Sequence, residues 1–78
     1  MPEERIEVTA YAGYRGDETP RCMVLDGKRI DVVRVLERWV EEDGATGKRR
    51  RCFRVKGNDF RTHTLCHDEE GMEWCYLG

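Results

Sequence analysis

The closing stretch FRTHTLCHDEEGMEWCYLG, Phe60 to Gly78, holds both histidines of the chain, His63 and His67, and two of its four cysteines, Cys66 and Cys75. Soft ligands and nucleophiles this close together raise metal binding, disulfide formation and nucleophilic catalysis as candidate chemistries. A metal ion needs three or four ligands converging on one point. On a strand, Cys66 and His67 point to opposite faces, and His63 and His67 share a face but lie roughly 13 Å apart at the usual rise. No Cys-x-x-Cys pair occurs, and cysteine spacings of 30, 14 and 9 match no zinc module. Neither a metal nor any other cofactor is expected. A four-residue loop at 69–72 would set Cys66 across from Cys75, Leu65 across from Tyr76 and His67 across from Trp74. A three-residue turn with Gly71 left-handed would shift that register by one and separate the thiols. The first register allows a Cys66–Cys75 disulfide, but reduced, partly buried thiols are the expected state. The segment reads as a hairpin with His67 beside an aromatic ring.

The basic run GKRRRCFRVKG (47–57) interleaves cations with Phe53, as strands that bind single-stranded nucleic acid do. A competing account is that Glu37, Glu41, Glu42 and Asp43 neutralise the arginines, while Phe53 alternates with Val55 as a core pair would. No catalytic constellation is present: neither histidine has a nucleophile at a specific spacing, and Gly13–Gly16 is too short for a phosphate loop. Asp68, Glu69 and Glu70 fall in an expected turn and read as solvated. An enzyme is therefore not expected. The segment YAGYRGDETPR (11–21) is the longest turn-rich stretch and joins aromatic, basic and acidic side chains; loops of this kind often carry function on a rigid scaffold. Tyr11, Tyr14, Arg15 and Arg21, together with Arg51 and Lys56, form the candidate binding surface.

These residues must be positioned by a single small domain spanning 1–78. The chain is 38% hydrophobic and 38% charged, the balance of a soluble globular domain rather than a disordered one. Its longest apolar runs are four residues, Cys22–Leu25 and Trp74–Leu77, so no membrane-spanning segment is expected. With no export signal in view, the expected compartment is the cytoplasm, where thiols stay reduced. The net charge of −2 conceals segregation: residues 45–64 carry seven cations against Asp59 alone, and residues 65–78 carry a net −4. Such a pattern raises nucleic acid as a partner.

Turn signals recur at short spacing, and the runs between them are rich in β-branched and aromatic residues, so strands are expected near 4–11, 21–25, 28–41, 49–56, 60–67 and 73–77. The fold class is mainly β: a single small antiparallel barrel or curved meander of five to six strands. One segment is ambiguous, because Val32, Val35, Leu36, Trp39 and Val40 also make a helical face, which would give an α+β fold with a helix near 31–42. The strand reading needs a β-bulge near Val33 and Arg34 to restore alternation. Pairing favours the strand. If Gly44–Gly47 is a four-residue loop closed by Asp43 and Lys48, then Glu42 faces Arg49, Glu41 faces Arg50, Val40 faces Arg51, Glu37 faces Arg54 and Leu36 faces Val55. Opposite charges so paired are worth about 0.2–1 kcal/mol each, and Arg51 is left without an acidic partner. Asp26–Gly27 is a two-residue hairpin signal that closes Leu25 on Lys28, sets Met23 against Ile30 and sets Arg21 against Val32. Met23, Ile30, Val32, Leu36, Phe53, Val55, Leu65 and Trp74 are the expected core.

Taken together, AGYRGDETPR, the Val32–Val33–Arg34–Val35–Leu36–Glu37–Arg38–Trp39 run, Arg51–Val55, and Leu65, His67, Asp68 and Trp74 resemble a group of small bacterial proteins of unknown function. The resemblance covers nearly the whole chain and implies no activity, cofactor or catalytic residue. Its members often carry an aromatic where this chain has Cys52 and His63, which implies packing positions rather than ligands. The expected function is a non-enzymatic binding or protein-interaction module whose partner the sequence does not name, a protein being favoured over nucleic acid. The alternative is a nucleic-acid-associated small β barrel.

Overall fold

The computed structural model describes residues 4–12, 18–42, 44–68 and 73–78, and the side chains of all of these except 11, 12 and 18. Six strands form among these residues: β1 (Glu4–Ala12), β2 (Glu18–Leu25), β3 (Lys28–Glu42), β4 (Arg49–Gly57), β5 (Thr62–Asp68) and β6 (Trp74–Tyr76). They pair antiparallel in chain order and close into a barrel, β6 returning to β1. The helix alternative for 31–42 is overturned, since that segment lies within the 15-residue β3. Among the described residues, no helix is long and apolar enough to cross a membrane.

The turns explain the register. Asp26 (φ 50°) and Gly27 (φ 77°) both occupy the left-handed region, the signature of a type I′ hairpin whose twist matches its strands. Leu25↔Lys28 and Met23↔Ile30 follow as expected, but β2–β3 pairing ends at Cys22↔Asp31. Val32 does not face Arg21; its partner is Gly57 on β4. Beyond that point β2 stays with β1 and β3 stays with β4, so the two hairpins diverge.

Between β3 and β4 the expected pairs form from Glu42↔Arg49 through Glu37↔Arg54, including Val40↔Arg51. The Asp43–Lys48 closure lies outside the described residues. The anticipated irregularity at Val33 is present, and a second follows at Leu36. The second shifts the register by one, so Val35 rather than Leu36 faces Val55. Leu36 is consequently not in the core but 42% exposed. A single bulge would have restored alternation, whereas the second displaces Leu36 from the inward set.

The interior is built from Met23, Ile30, Phe53, Val55, Leu65 and Trp74, with Val32, Val35 and the β1 residues Ile6, Val8 and Ala10 packed against them. Phe53 and Trp74 meet at 5.8 Å between ring centroids. β5 begins at Thr62 rather than Phe60, because residues 57–61 form a tight turn in which Phe60 has φ 66°. The last hairpin takes the first of the two registers the sequence allowed, Leu65↔Tyr76, Cys66↔Cys75 and His67↔Trp74.

Candidate functional site

Divergence of the two hairpins leaves a feature that strand pairing alone does not satisfy. Over Val32–Glu42, β3 pairs with β4 on one side and has no strand partner on the other among the described residues. Across the groove from this edge, the start of β2 pairs, among the described residues, only with β1. A groove of about 220 Å³ lies there, lined among others by Thr19, Arg38, Val40, Arg51 and Phe53. Among the described residues, three of the five exposed large hydrophobics also lie on β3: Val33 at 65%, Leu36 at 42% and Val40 at 56% exposure. An unpaired backbone edge flanked by exposed apolar side chains is what an extended chain can bind.

The arginine run is largely committed elsewhere. Arg54 pairs with Glu37 at 3.0 Å, Arg50 with Glu41 at 3.0 Å and Arg49 with Glu42 at 3.5 Å. Glu41 is the best held of these carboxylates. Its Oε2 accepts from the Trp39 indole at 2.9 Å, and its Oε1 accepts two hydrogen bonds from Arg50. Donation by Trp39 first, then by Arg50, holds Glu41 below the usual carboxylate range. Arg51 faces Val40, half-buried, yet it has an interaction of its own, so the expectation that it stands unpartnered is corrected.

At the other end of the barrel, His63 is buried at 4% exposure. Its Nε2–H donates to Asp59 Oδ2 at 2.9 Å, because a carboxylate can only accept. In the tautomer that carries its proton on Nε2, Nδ1 accepts from the Tyr76 hydroxyl, also at 2.9 Å. Burial pushes the Asp59 carboxyl up, but the Arg61 backbone N–H and His63 together outweigh it, and the net shift is downward. Burial, reinforced by the Asp59 charge, raises the Tyr76 phenol. The cluster borders an open cavity of about 560 Å³ that Lys28, Arg29 and Arg61 also line. It is a satisfied polar cluster, and among the described residues no group beside it has the geometry of an activated nucleophile.

Cysteine chemistry is where the structure departs furthest from expectation. Cys52 and Cys66 form a disulfide, with Cα atoms 4.0 Å apart, and Cys22 and Cys75 are outside any disulfide. The Cys66–Cys75 alternative is therefore not the pairing seen, and Cys52 and Cys66 are not the reduced thiols anticipated. The hairpin pairing read from the sequence positions Cys52 only against β3 and says nothing of β4 against β5. The Gly57–Arg61 turn carries the missing signal: it sets Lys56 against Thr62, and counting back brings Cys52 opposite Cys66. Glu41 oxygen and the two sulfurs lie within 4.8 Å of one another, a grouping that only the three-strand alignment reveals. Cys52 and His63 are buried, as packing positions would be, but both are bonded to specific partners. His67 stacks on Trp74 with centroids 4.5 Å apart, as expected.

The candidate surface is not brought together as a unit. Arg21 is exposed on β2, Arg51 lies on the groove, and Lys56 is exposed opposite Arg34 and Thr62. Tyr11 is the penultimate residue of β1, opposite Thr19, while its side chain, Tyr14 and Arg15 lie outside the described residues. Set against known protein families, curated proteins and solved structures, the chain matches none.

Proposed function

We propose that this chain is a non-enzymatic binding module that takes an extended polypeptide segment along the open edge of β3. The observation that supports it is the backbone of Val32–Glu42, bonded to β4 on one side and lacking a strand partner on the other among the described residues. Strand addition would satisfy that edge, and alternate side chains of the added strand would give specificity. Val40 and Phe53 offer apolar contact, and Arg38 and Arg51 offer positive charge along the groove. The partner chemistry that fits is an extended segment alternating acidic and apolar residues. The cytoplasm is the proposed compartment, a setting in which a disulfide is transient or redox-active rather than structural. The resemblance to small bacterial proteins brings no activity with it, so the proposal rests on geometry.

Nucleic acid fits less well, because Arg49, Arg50 and Arg54 are each paired with a glutamate. The test is NMR titration with peptides of about ten residues alternating Glu with Val or Leu, long enough to span the edge at ~3.3 Å per residue. Amides within 32–42 should gain protection from exchange, and methylating alternate peptide nitrogens should abolish the effect while leaving the side chains intact. Binding that survives methylation, or that leaves β3 amides unprotected, would sink the proposal. Single-stranded nucleic acid binding near ~1 μM at physiological salt, falling by roughly 0.7 log units per log unit of salt for each phosphate contact and abolished by Arg51→Glu, would replace it.

A further inference from the structure

Cys52, Cys66 and Cys75 lie in one row across three neighbouring strands: Cys52 opposite Cys66 between β4 and β5, and Cys66 opposite Cys75 between β5 and β6. Directly opposed residues project from the same face with Cβ atoms about 4.5–5.5 Å apart. On β4 and β5, Phe53, Val55 and Leu65 point into the barrel, so by alternation the cysteines point outward. Trp39 faces Cys52 at one end of this row, and Arg5 faces Cys75 at the other.

We propose that this row is a thiol–disulfide exchange site in which Cys75 relays the buried Cys52–Cys66 disulfide to the surface. Displacement at sulfur requires the attacking and leaving sulfurs to lie on opposite sides of the central one. Cys66 is central here, flanked by Cys75 and Cys52. In the exchange the Cys75 thiol first gives its proton to solvent. Its thiolate then bonds to Cys66 Sγ, the Cys66–Cys52 bond breaks, and the electron pair leaves on Cys52 Sγ, which takes a proton from solvent. The row holds one thiol and one disulfide bond before and after, so there is no net oxidation.

Burial gives the relay its purpose. Cys52 is 0% and Cys66 is 1% exposed, whereas Cys75 is half-buried. A soluble thiol cannot reach the resting disulfide, but it can reach Cys75 Sγ once that sulfur is part of a Cys66–Cys75 bond. Attack there by a low-molecular-weight thiol forms a mixed disulfide on Cys75 and frees Cys66 as thiolate. A second thiol then releases Cys75 and departs as the oxidised dimer, so two external thiols are oxidised and the protein disulfide becomes two thiols. A thiolate on Cys52 would face the Glu41 carboxylate within 4.8 Å, so the disulfide returns to Cys52–Cys66 when no external thiol intervenes.

The experiment uses reduced glutathione as the probe, with free thiols alkylated at intervals and linkages mapped by mass spectrometry. Cleavage after arginine and glutamate places Cys52, Cys66 and Cys75 on separate peptides. Cys75→Ser should slow reduction of the Cys52–Cys66 disulfide at least tenfold while leaving the circular dichroism and thermal midpoint of the oxidised protein unchanged. Wild-type protein held at mildly alkaline pH and then quenched should contain the Cys66–Cys75 linkage, and Cys52→Ser treated with oxidised glutathione should form that linkage quantitatively. Reduction of Cys75→Ser at the wild-type rate, or absence of the Cys66–Cys75 linkage from both wild type and Cys52→Ser, would overturn the proposal.

Discussion

At the scale of single residues, Glu41 shows how a hairpin charge gains more than a surface pair would give it. Exposed ion pairs are worth about 0–1 kcal/mol, and the Glu37–Arg54 and Glu42–Arg49 bridges are of that exposed kind. Glu41 adds an indole donor on its second oxygen, and its carboxyl is held low by Trp39 and then Arg50. A carboxyl whose folded value lies below its unfolded one stabilises the fold at pH above the unfolded value, near ~4.3 for Glu. That contribution is lost as pH falls through the folded value. Urea midpoints measured at neutral and acid pH should therefore fall less for Glu41→Gln than for wild type. An equal fall in both proteins would mean that Glu41 is not held low. Tyr76→Phe tests the other polar cluster: it leaves Nδ1 of buried His63 without its donor. The expected loss is about 1–3 kcal/mol, the usual cost of a buried unsatisfied group, read as a lower denaturation midpoint with unchanged slope.

At the scale of elements, the turns and bulges decide which face each side chain presents. Gly57 ends β4 where the chain folds back over itself. A Cβ there would stand 2.6 Å from both Ile30 Cγ2 and Asp59 Oδ1, inside any real contact. Gly57→Ala should therefore destabilise by about 1–3 kcal/mol through overpacking. It should also perturb the His63 ring resonances, since the same Cβ would lie 3.3 Å from His63 Cδ2. A neutral effect would show that the turn yields easily. The bulges in β3 have a comparable positional effect, because the extra residues at Val33 and Leu36 stay outside the core. They leave two exposed apolar side chains on a strand with an open edge. Bulges also twist such an edge and discourage indiscriminate pairing with other chains.

At the scale of the whole molecule, 78 residues support a modest core, and domains of this size sit close to the limit of stability without a staple. The Cys52–Cys66 bond joins adjacent strands across a separation of 14 residues, and closing a loop of about that length stabilises by ~3 kcal/mol in the chain-entropy account. Reduction of the wild-type protein should lower its unfolding free energy by about that amount and raise the denaturant slope, because the unfolded chain then expands more. An unchanged midpoint after complete reduction would show that the β4–β5 ladder alone holds the two sulfurs together.

The sequence by itself pointed to a mainly β chain of five to six strands and to the register beside the turns of β2–β3 and β3–β4, and it left the β5–β6 register open between two turns. Asp26–Gly27 can supply two left-handed residues, and acidic residues facing a basic run fix β3 against β4. Those signals are local: each depends on residues within a few positions of a turn. What only the tertiary structure decided depends on three strands at once. Leu36 left the core because a second irregularity in β3 shifts the register by one, so that Val35 faces Val55. His63 met Tyr76 because both face inward where β5 and β6 close the barrel. Cys52 met Cys66 rather than leaving it to Cys75, because β5 lies between β4 and β6 and a sulfur can bond only one of its two neighbours at a time.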